Sequence, residues 1–378
     1  MPKANQFTQI AIVLLAIGVG SPCPLALMAN EDHALNRVWS RMADISGEFG
    51  SVESAEFSPD SGRIVTGTKY DNTVRVWRTE DGAMLWKTEL PAEIERVAWT
   101  ADGKTVVSVS EDQYLRVIDA SNGEVVREIK HGNGMDSLAL SPDGRIMAVG
   151  EELRGGQTGA AVEVPVILYD TQTWQEIRRV DQTDTANEID FTPDGKRFVV
   201  VGAGHFRLWD TETGKQLHHQ KVFADGENRN LARFICTKIS PDGKYIAVGS
   251  NRGDIYFFDA QTGRYIRRLN KTGDKLETVE WTKDGQYVLS AGKANVIDFI
   301  ATKHAVDTRL NNGSVPIAMR IKMTDQLEYM HFNKTGALLT TAHQDGTVQL
   351  WTYMSDNPGV NQFKHRALSA KQEAAYGK

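Results

Sequence analysis

Five carboxylates recur in one register along this chain. Counting back four residues from each of seven recurrent apolar positions (Phe57, Trp99, Leu140, Phe191, Ile239, Trp281 and Phe332) gives Glu53, Glu95, Asp136, Asn187, Ile235, Glu277 and Glu328. Carboxylates that converge attract a cation or a basic segment and push up one another's pKa values. One chemistry this allows is recognition of a positively charged partner. The other is coordination of a hard divalent cation by carboxylate and amide oxygens, which with an open position for water would support hydrolysis. A solvated acidic rim would carry the same residues. Arg154, Arg229, Arg233, Arg320 and Lys322 stand in or beside longer connecting segments and would place positive charge around the acids. A surface of mixed sign suits protein recognition.

The elements that must position these residues are short strands. After each apolar position comes a tight turn: Pro59-Asp60-Ser61-Gly62, Ala101-Asp102-Gly103, Pro142-Asp143-Gly144, Pro193-Asp194-Gly195, Pro241-Asp242-Gly243, Lys283-Asp284-Gly285 and a worn Lys334-Thr335-Gly336. The apolar positions are spaced by 42, 41, 51, 48, 42 and 51 residues. A period a little above forty with four strands per unit marks a propeller blade. In the fifth unit Ile239 ends strand a, 245–249 form strand b, 255–259 strand c and 265–269 strand d, with Gly263 in the c-to-d hairpin. Strands b and c are apolar nearly throughout, as sheets covered on both faces require.

The last unit ends at Trp351-Thr352 without a convincing fourth strand, while 35–41 resemble a strand d that lacks its own strand c. The N-terminal segment is therefore predicted to complete the seventh blade and remove the exposed edges of an open ring. The expected fold is all-β, a closed seven-bladed propeller of four-stranded antiparallel blades over residues 30–352. The acidic register falls at the start of strand a, the innermost strand, and would ring the mouth of the central channel. Extra residues are expected at 151–164, in a b-to-c loop, and at 181–188, 222–234 and 310–326, in d-to-a connections. All four would lengthen the mouth face, which makes it the expected binding face.

The strand c ends are Trp77-Arg78, Ile118-Asp119, Tyr169-Asp170, Trp209-Asp210, Phe258-Asp259, Phe299-Ile300 and Trp351-Thr352. With the repeat period, these make the chain resemble the WD40-repeat (WD-repeat) β-propeller family, in an exported bacterial form with degenerate repeats. The resemblance implies that Asp71, Asp112 and Asp345 cap b-to-c turns, that His131 occupies the family's histidine position, and that the body is a rigid platform for partners.

A net charge of −6 with no long basic run speaks against nucleic-acid binding. Residues 1–29 read as a cleaved secretory signal peptide: Lys3 precedes an apolar core at 10–19, and Leu27-Met28-Ala29 precedes polar Asn30. Gly20-Ser21-Pro22 before Cys23 is not a lipoprotein signal. The expected location is the periplasm or the exterior, with no membrane span after cleavage. Cys236 alone would then remain, so no internal disulfide can form. Residues 353–378 read as a polar tail.

No catalytic residue is assigned. His218-His219 are adjacent on a strand and point to opposite faces, which prevents them from sharing a metal. His205 and His343 are expected to precede strand c as capping or surface groups. No nucleophile elbow, zinc-protease helix or phosphate-binding loop is present, and Gly155-Gly156 lacks the lysine and helix of the last. Neither dinucleotide nor pyrroloquinoline chemistry is favoured, since the chain has no glycine-rich fingerprint and seven units instead of eight. Two readings remain. The first is a non-catalytic scaffold without a cofactor that binds a protein partner, an envelope complex among the candidates. The second is a lactonase-like hydrolase that holds a divalent cation in the acidic mouth.

Overall fold

Strands of five or six residues rich in Val, Ile, Thr and aromatic side chains cannot bury themselves singly. They pair into sheets, and the sheets stack face to face. The computed structural model describes residues 34–43, 50–152, 164–181, 184–221, 233–269, 273–310 and 317–354. Seven four-stranded antiparallel sheets form a closed ring in which each strand a touches the strand a of both neighbouring blades. Blade 1 runs outward from the channel as Val52–Phe57, Arg63–Thr68, Thr73–Arg78 and Met84–Glu89, strands a to d. The other a strands are Ile94–Trp99, Met135–Leu140, Glu188–Phe191, Phe234–Ile239, Leu276–Trp281 and Leu327–Phe332. Among the described residues no helix is long and apolar enough to cross a membrane.

Burial follows the order of strands. Ile64, Val65, Val74 and Val76 of strands b and c are fully buried, while Met84 and Leu85 of strand d are exposed. The core is a set of slabs between blades. Val65, Val74 and Val76 of blade 1 pack on Ile94, Val97 and Trp99 of blade 2, and Phe206 of blade 4 stacks on Phe258 of blade 5 at 4.1 Å between ring centroids. Strand b glycines let blades approach. At Gly67 of blade 1 a Cβ would lie 2.7 Å from Ile94 Cγ2 of blade 2.

The ring closes with the N-terminal strand. Ala34–Met42 pairs antiparallel with Thr347–Met354 as the outer strand of blade 7. It also reaches into blade 1, where Trp39 Nε1 donates to the Thr79 carbonyl (2.9 Å) and Arg41 Nε to the Gly82 carbonyl (2.9 Å). Elsewhere the same stitch joins successive blades: Trp86 Nε1 to the Ala120 carbonyl, Thr88 Oγ1 to the Gly123 carbonyl, and Arg178 to the Glu212 and Thr213 carbonyls. The closing contact is thus an ordinary blade-to-blade contact made by a distant segment. Strand c of blade 7 continues to Met354, two residues past the expected end at 352.

Side-chain oxygens hold the turns. In the first a-to-b turn Ser58 Oγ donates to Asp60 (2.5 Å), and Asp60 accepts the Gly62 N–H (3.0 Å). Thr or Ser with Asp two residues on repeats this in the next five blades. The b-to-c aspartates act differently from one another. Asp71 and Asp112 take bidentate contacts from buried Arg75 and Arg116, and Asp345 accepts from Thr347 N–H and Oγ1. His131 is buried, with Nδ1 3.1 Å from Glu151 Oε1 and Nε2 3.1 Å from the Tyr169 hydroxyl. It joins a d-to-a connection to strands b and c of blade 3.

Three expectations need correction. Strand d of blade 6 is Ile317–Lys322, so the added residues of that blade fall between strands c and d, and the described ones, 302–310, lengthen the opposite face. They include the short helix Thr302–Ala305. The turn-rich run at 311–316 precedes strand d and does not follow it. His205 opens strand c, with Nδ1 2.8 Å from His219 Nε2. His343 ends strand b and is fully buried, bonded to Thr341 Oγ1 at 2.8 Å.

Candidate functional site

One irregularity in the a strands decides where the acidic register points. Opposite strand b, the pairing skips one residue between Val52 and Ser54, Ile94 and Arg96, Met135 and Ser137, Phe234 and Cys236, Leu276 and Thr278, and Leu327 and Tyr329. The skipped residues are Glu53, Glu95, Asp136, Ile235, Glu277 and Glu328. A bulge leaves its extra residue without a ladder partner and re-aims its side chain. Here it turns six side chains into one cavity of about 470 Å³ at the channel mouth, and Asn187 of blade 4 completes the ring.

The mouth is not purely acidic. Lys69, Arg96, Arg233, Asn251 and Lys275 line it as well. Lys69 Nζ lies 3.0 Å from Glu93 and 3.8 Å from Glu95, and Lys275 Nζ lies 2.7 Å from Glu277. Lys293 Nζ stands 3.7 Å from both Glu277 and Glu328. Arg96 lies over the ring of Tyr329, 5.6 Å from its centroid, so blade 2 reaches toward blade 7. Of the arginines expected around the acids, Arg233 is at the mouth. Arg320 is not: it sits on the outer strand, clamped to buried Asp298 at 2.6 and 2.9 Å. Lys322 ends that strand. Arg154 and Arg229 lie outside the described residues.

Desolvation dominates the acids. Burial, reinforced by Asp136, pushes Glu95 up to about 8, against the pull of Lys69. Burial with Glu277 pushes Glu328 up to about 7, and burial raises Asp136. Lys69 responds oppositely: burial opposes its charge, but Glu95 and Glu53 outweigh burial and hold it protonated. One step further along strand a the polar groups are matched. Tyr329 donates to Glu56 (2.7 Å), and Asp190 accepts the Ile239 N–H (2.7 Å). Burial disfavours the Glu280 carboxylate, yet Lys238 and His331 outweigh it and hold its pKa at about 2. Among the described residues no three His, Cys, Asp or Glu side chains are grouped to hold a metal ion. Cys236 is fully buried, and its thiol is pushed up by that burial.

Lys69, Asn251, Lys275 and Lys293 escaped the sequence reading, although they too keep a register. Lys69, Asn251 and Lys293 each follow the last residue of a strand b. Each donates its N–H to the carbonyl six residues before the apolar position, that of Ser51, Arg233 or Lys275. A second count, at minus six, would have found Arg233 and Lys275 together.

A family model described as outer membrane protein assembly factor BamB matches residues 35–269, well over half of the 378. The chain belongs to that propeller family. Its curated relatives are WD-repeat proteins. It is 24% identical over 220 residues to serine-threonine kinase receptor-associated protein of Gallus gallus (56% of each chain). It is 22% identical over 284 residues to THO complex subunit 3 of Arabidopsis thaliana (72% of this chain, 84% of the relative). To protein tipD of Dictyostelium discoideum it is 26% identical over 305 residues (76% of this chain). The matches span 56% of the first relative's length and 45% of tipD's. Propellers of this kind serve as interaction scaffolds and complex subunits, which supports a non-catalytic propeller.

Proposed function

We propose that this chain is an exported, non-catalytic propeller that binds a protein partner through the face carrying the channel mouth. The observation that carries the reading is the repeated bulge, which aims six side chains from six blades into one cavity. Repeated in six blades, the bulge gathers these side chains around one cavity, an arrangement that suits recognition of a partner. The connections lengthened at 152–165, 181–187 and 222–233 join strand ends on the same face, and most of their residues lie outside the described residues. The family description as an outer membrane assembly factor supports a place in the cell envelope, reached through a signal peptide at 1–29. The relatives named as a complex subunit and a receptor-associated protein support a partner that is a protein.

The hydrolase reading with a divalent cation is disfavoured by Lys69, Lys275 and Lys293, which pair with three of its five candidate carboxylates, Glu95, Glu277 and Glu328. A hard cation takes several converging oxygens, and ammonium groups beside them raise the cost of placing it there. The test is a pull-down from the envelope of the source cell. It compares the parent with the variant Glu53→Gln, Glu95→Gln, Asp136→Asn, Glu277→Gln, Glu328→Gln, with metal analysis of both. The expected result is a partner retained by the parent, lost by the variant, and no stoichiometric metal. Stoichiometric metal in the parent that disappears in the variant would overturn the reading in favour of hydrolysis.

A further inference from the structure

The exposed large apolar side chains of this propeller are unevenly placed. Among the described residues, all but Met42 and Tyr70 stand where a strand d begins or in the c-to-d connection of blade 6, toward the face opposite the mouth. Met42 ends the closing strand at the outer rim. Tyr70 lies on the mouth face, 49% exposed on the b-to-c turn of blade 1 and next to Lys69, which lines the cavity.

The turn that carries Tyr70 is longer than its counterparts. Between strands b and c, blades 2, 6 and 7 have residues 111–113, 293–295 and 344–346, whereas blade 1 has 69–72. Each of these turns opens with an N–H bonded to a carbonyl at the start of its strand a and closes on a residue with positive φ, namely Asn72, Gln113, Asn295 or Gly346. Asp71 matches Asp112 and Asp345 just before the closing residue, so the residue added in blade 1 is Tyr70. The turn is braced. Arg75 clamps Asp71, Thr73 Oγ1 donates to the Asp71 carbonyl (2.7 Å), and the Leu90 N–H donates to the Asn72 carbonyl (2.8 Å). A ring presented on a braced turn has little freedom left to lose on binding. The charges beside it are matched within the chain, Lys69 to Glu93 (3.0 Å) and Asp71 to Arg75. What this turn offers a partner is therefore the ring, and tyrosine is enriched among the residues that dominate binding energy at interfaces.

Resting on the partner-binding reading above, we propose that Tyr70 anchors the contact and that the partner is a folded protein with an apolar recess for its ring. A projecting side chain needs a concave counterpart, which a short extended segment cannot form by itself. Tyr265 is the matched control, 48% exposed at the start of strand d in blade 5, on the opposite face.

Tyrosine nitration by tetranitromethane tests this on the intact chain, with each site read by mass spectrometry in the purified protein and in the envelope of the source cell. Nitration of Tyr70 is expected to fall about tenfold in the envelope while that of Tyr265 stays as in the purified protein. Partner capture should survive Tyr70→Phe and Tyr265→Ala and fall about tenfold with Tyr70→Ala. Thermal melts establish that each variant is folded. Protection of both tyrosines, of neither or of Tyr265 alone, or capture unaffected by Tyr70→Ala, would overturn the proposal. A partner captured by the parent and lost by the five-acid variant would then leave the broader reading intact, whereas capture that ignores the acids as well would remove both.

Discussion

Replacing Glu95 with glutamine is expected to stabilise the chain at alkaline pH and to change little near pH 4.5. The carboxylate is 6% exposed, and burial with Asp136 raises its pKa from 4.5 to about 8. In the unfolded chain it ionises near its ordinary value. Between those two values the folded state holds a proton that the unfolded state has released. Unfolding stability therefore falls as pH rises through this window, and the loss is complete above the folded pKa. Glutamine carries no such charge, so the variant keeps what the parent loses. The difference should grow from near zero at pH 4.5 to roughly 2–4 kcal/mol at pH 9. Denaturant titrations of both proteins across that range check it, and a constant difference would show that Glu95 ionises normally. Glu328, raised to about 7 by burial and Glu277, should behave likewise over a narrower window.

Removing the closing strand is expected to cost more than any single change at the mouth. Deletion through Met42 strips Thr347–Met354 of its partner and exposes the apolar cluster that Trp39 shares with Val52, Phe57, Trp77 and Leu350. An open ring presents strand edges in place of a closed interface. Trp39→Ala alone removes a side chain 7% exposed and its bond to the Thr79 carbonyl. Loss of a buried tryptophan should lower stability by about 3–5 kcal/mol, read as a fall in the thermal midpoint. Met84→Ala on the outer strand of blade 1 is the control, since its side chain is exposed and should shift the midpoint little. Equal effects of the two substitutions would contradict the closing role of the N-terminal strand.

Much of this fold was legible because its determinants are local. A Ser or Thr before an Asp two residues on, then Gly, fixes the a-to-b turn within five residues, and it repeats. The closing strand was legible because 35–41 look like a strand d without a strand c. Blade 6 misled because strand d, Ile317–Lys322, starts 16 residues after strand c ends at Ala301, so the turn-forming residues at 311–316 look like the start of the next connection. The acidic register could be counted from the sequence, but its direction depends on bulges that period-two alternation does not reveal. The lysines between the acids were missed because Lys69 stands 16 residues after Glu53, on the far side of a hairpin, and enters the mouth through pairing. Fold and register came from local pattern, whereas the polarity of the site came from blades meeting across a ring.

The central claim is that partners meet this propeller at the channel mouth. Its most direct test places a photo-reactive amino acid at Ile235, the apolar member of the ring, and separately at Asn122 in a c-to-d turn on the opposite face. Both proteins are illuminated in the source cell. A discrete protein adduct from position 235 and none from position 122 is the predicted result. An adduct from position 122 with none from position 235 would contradict the account.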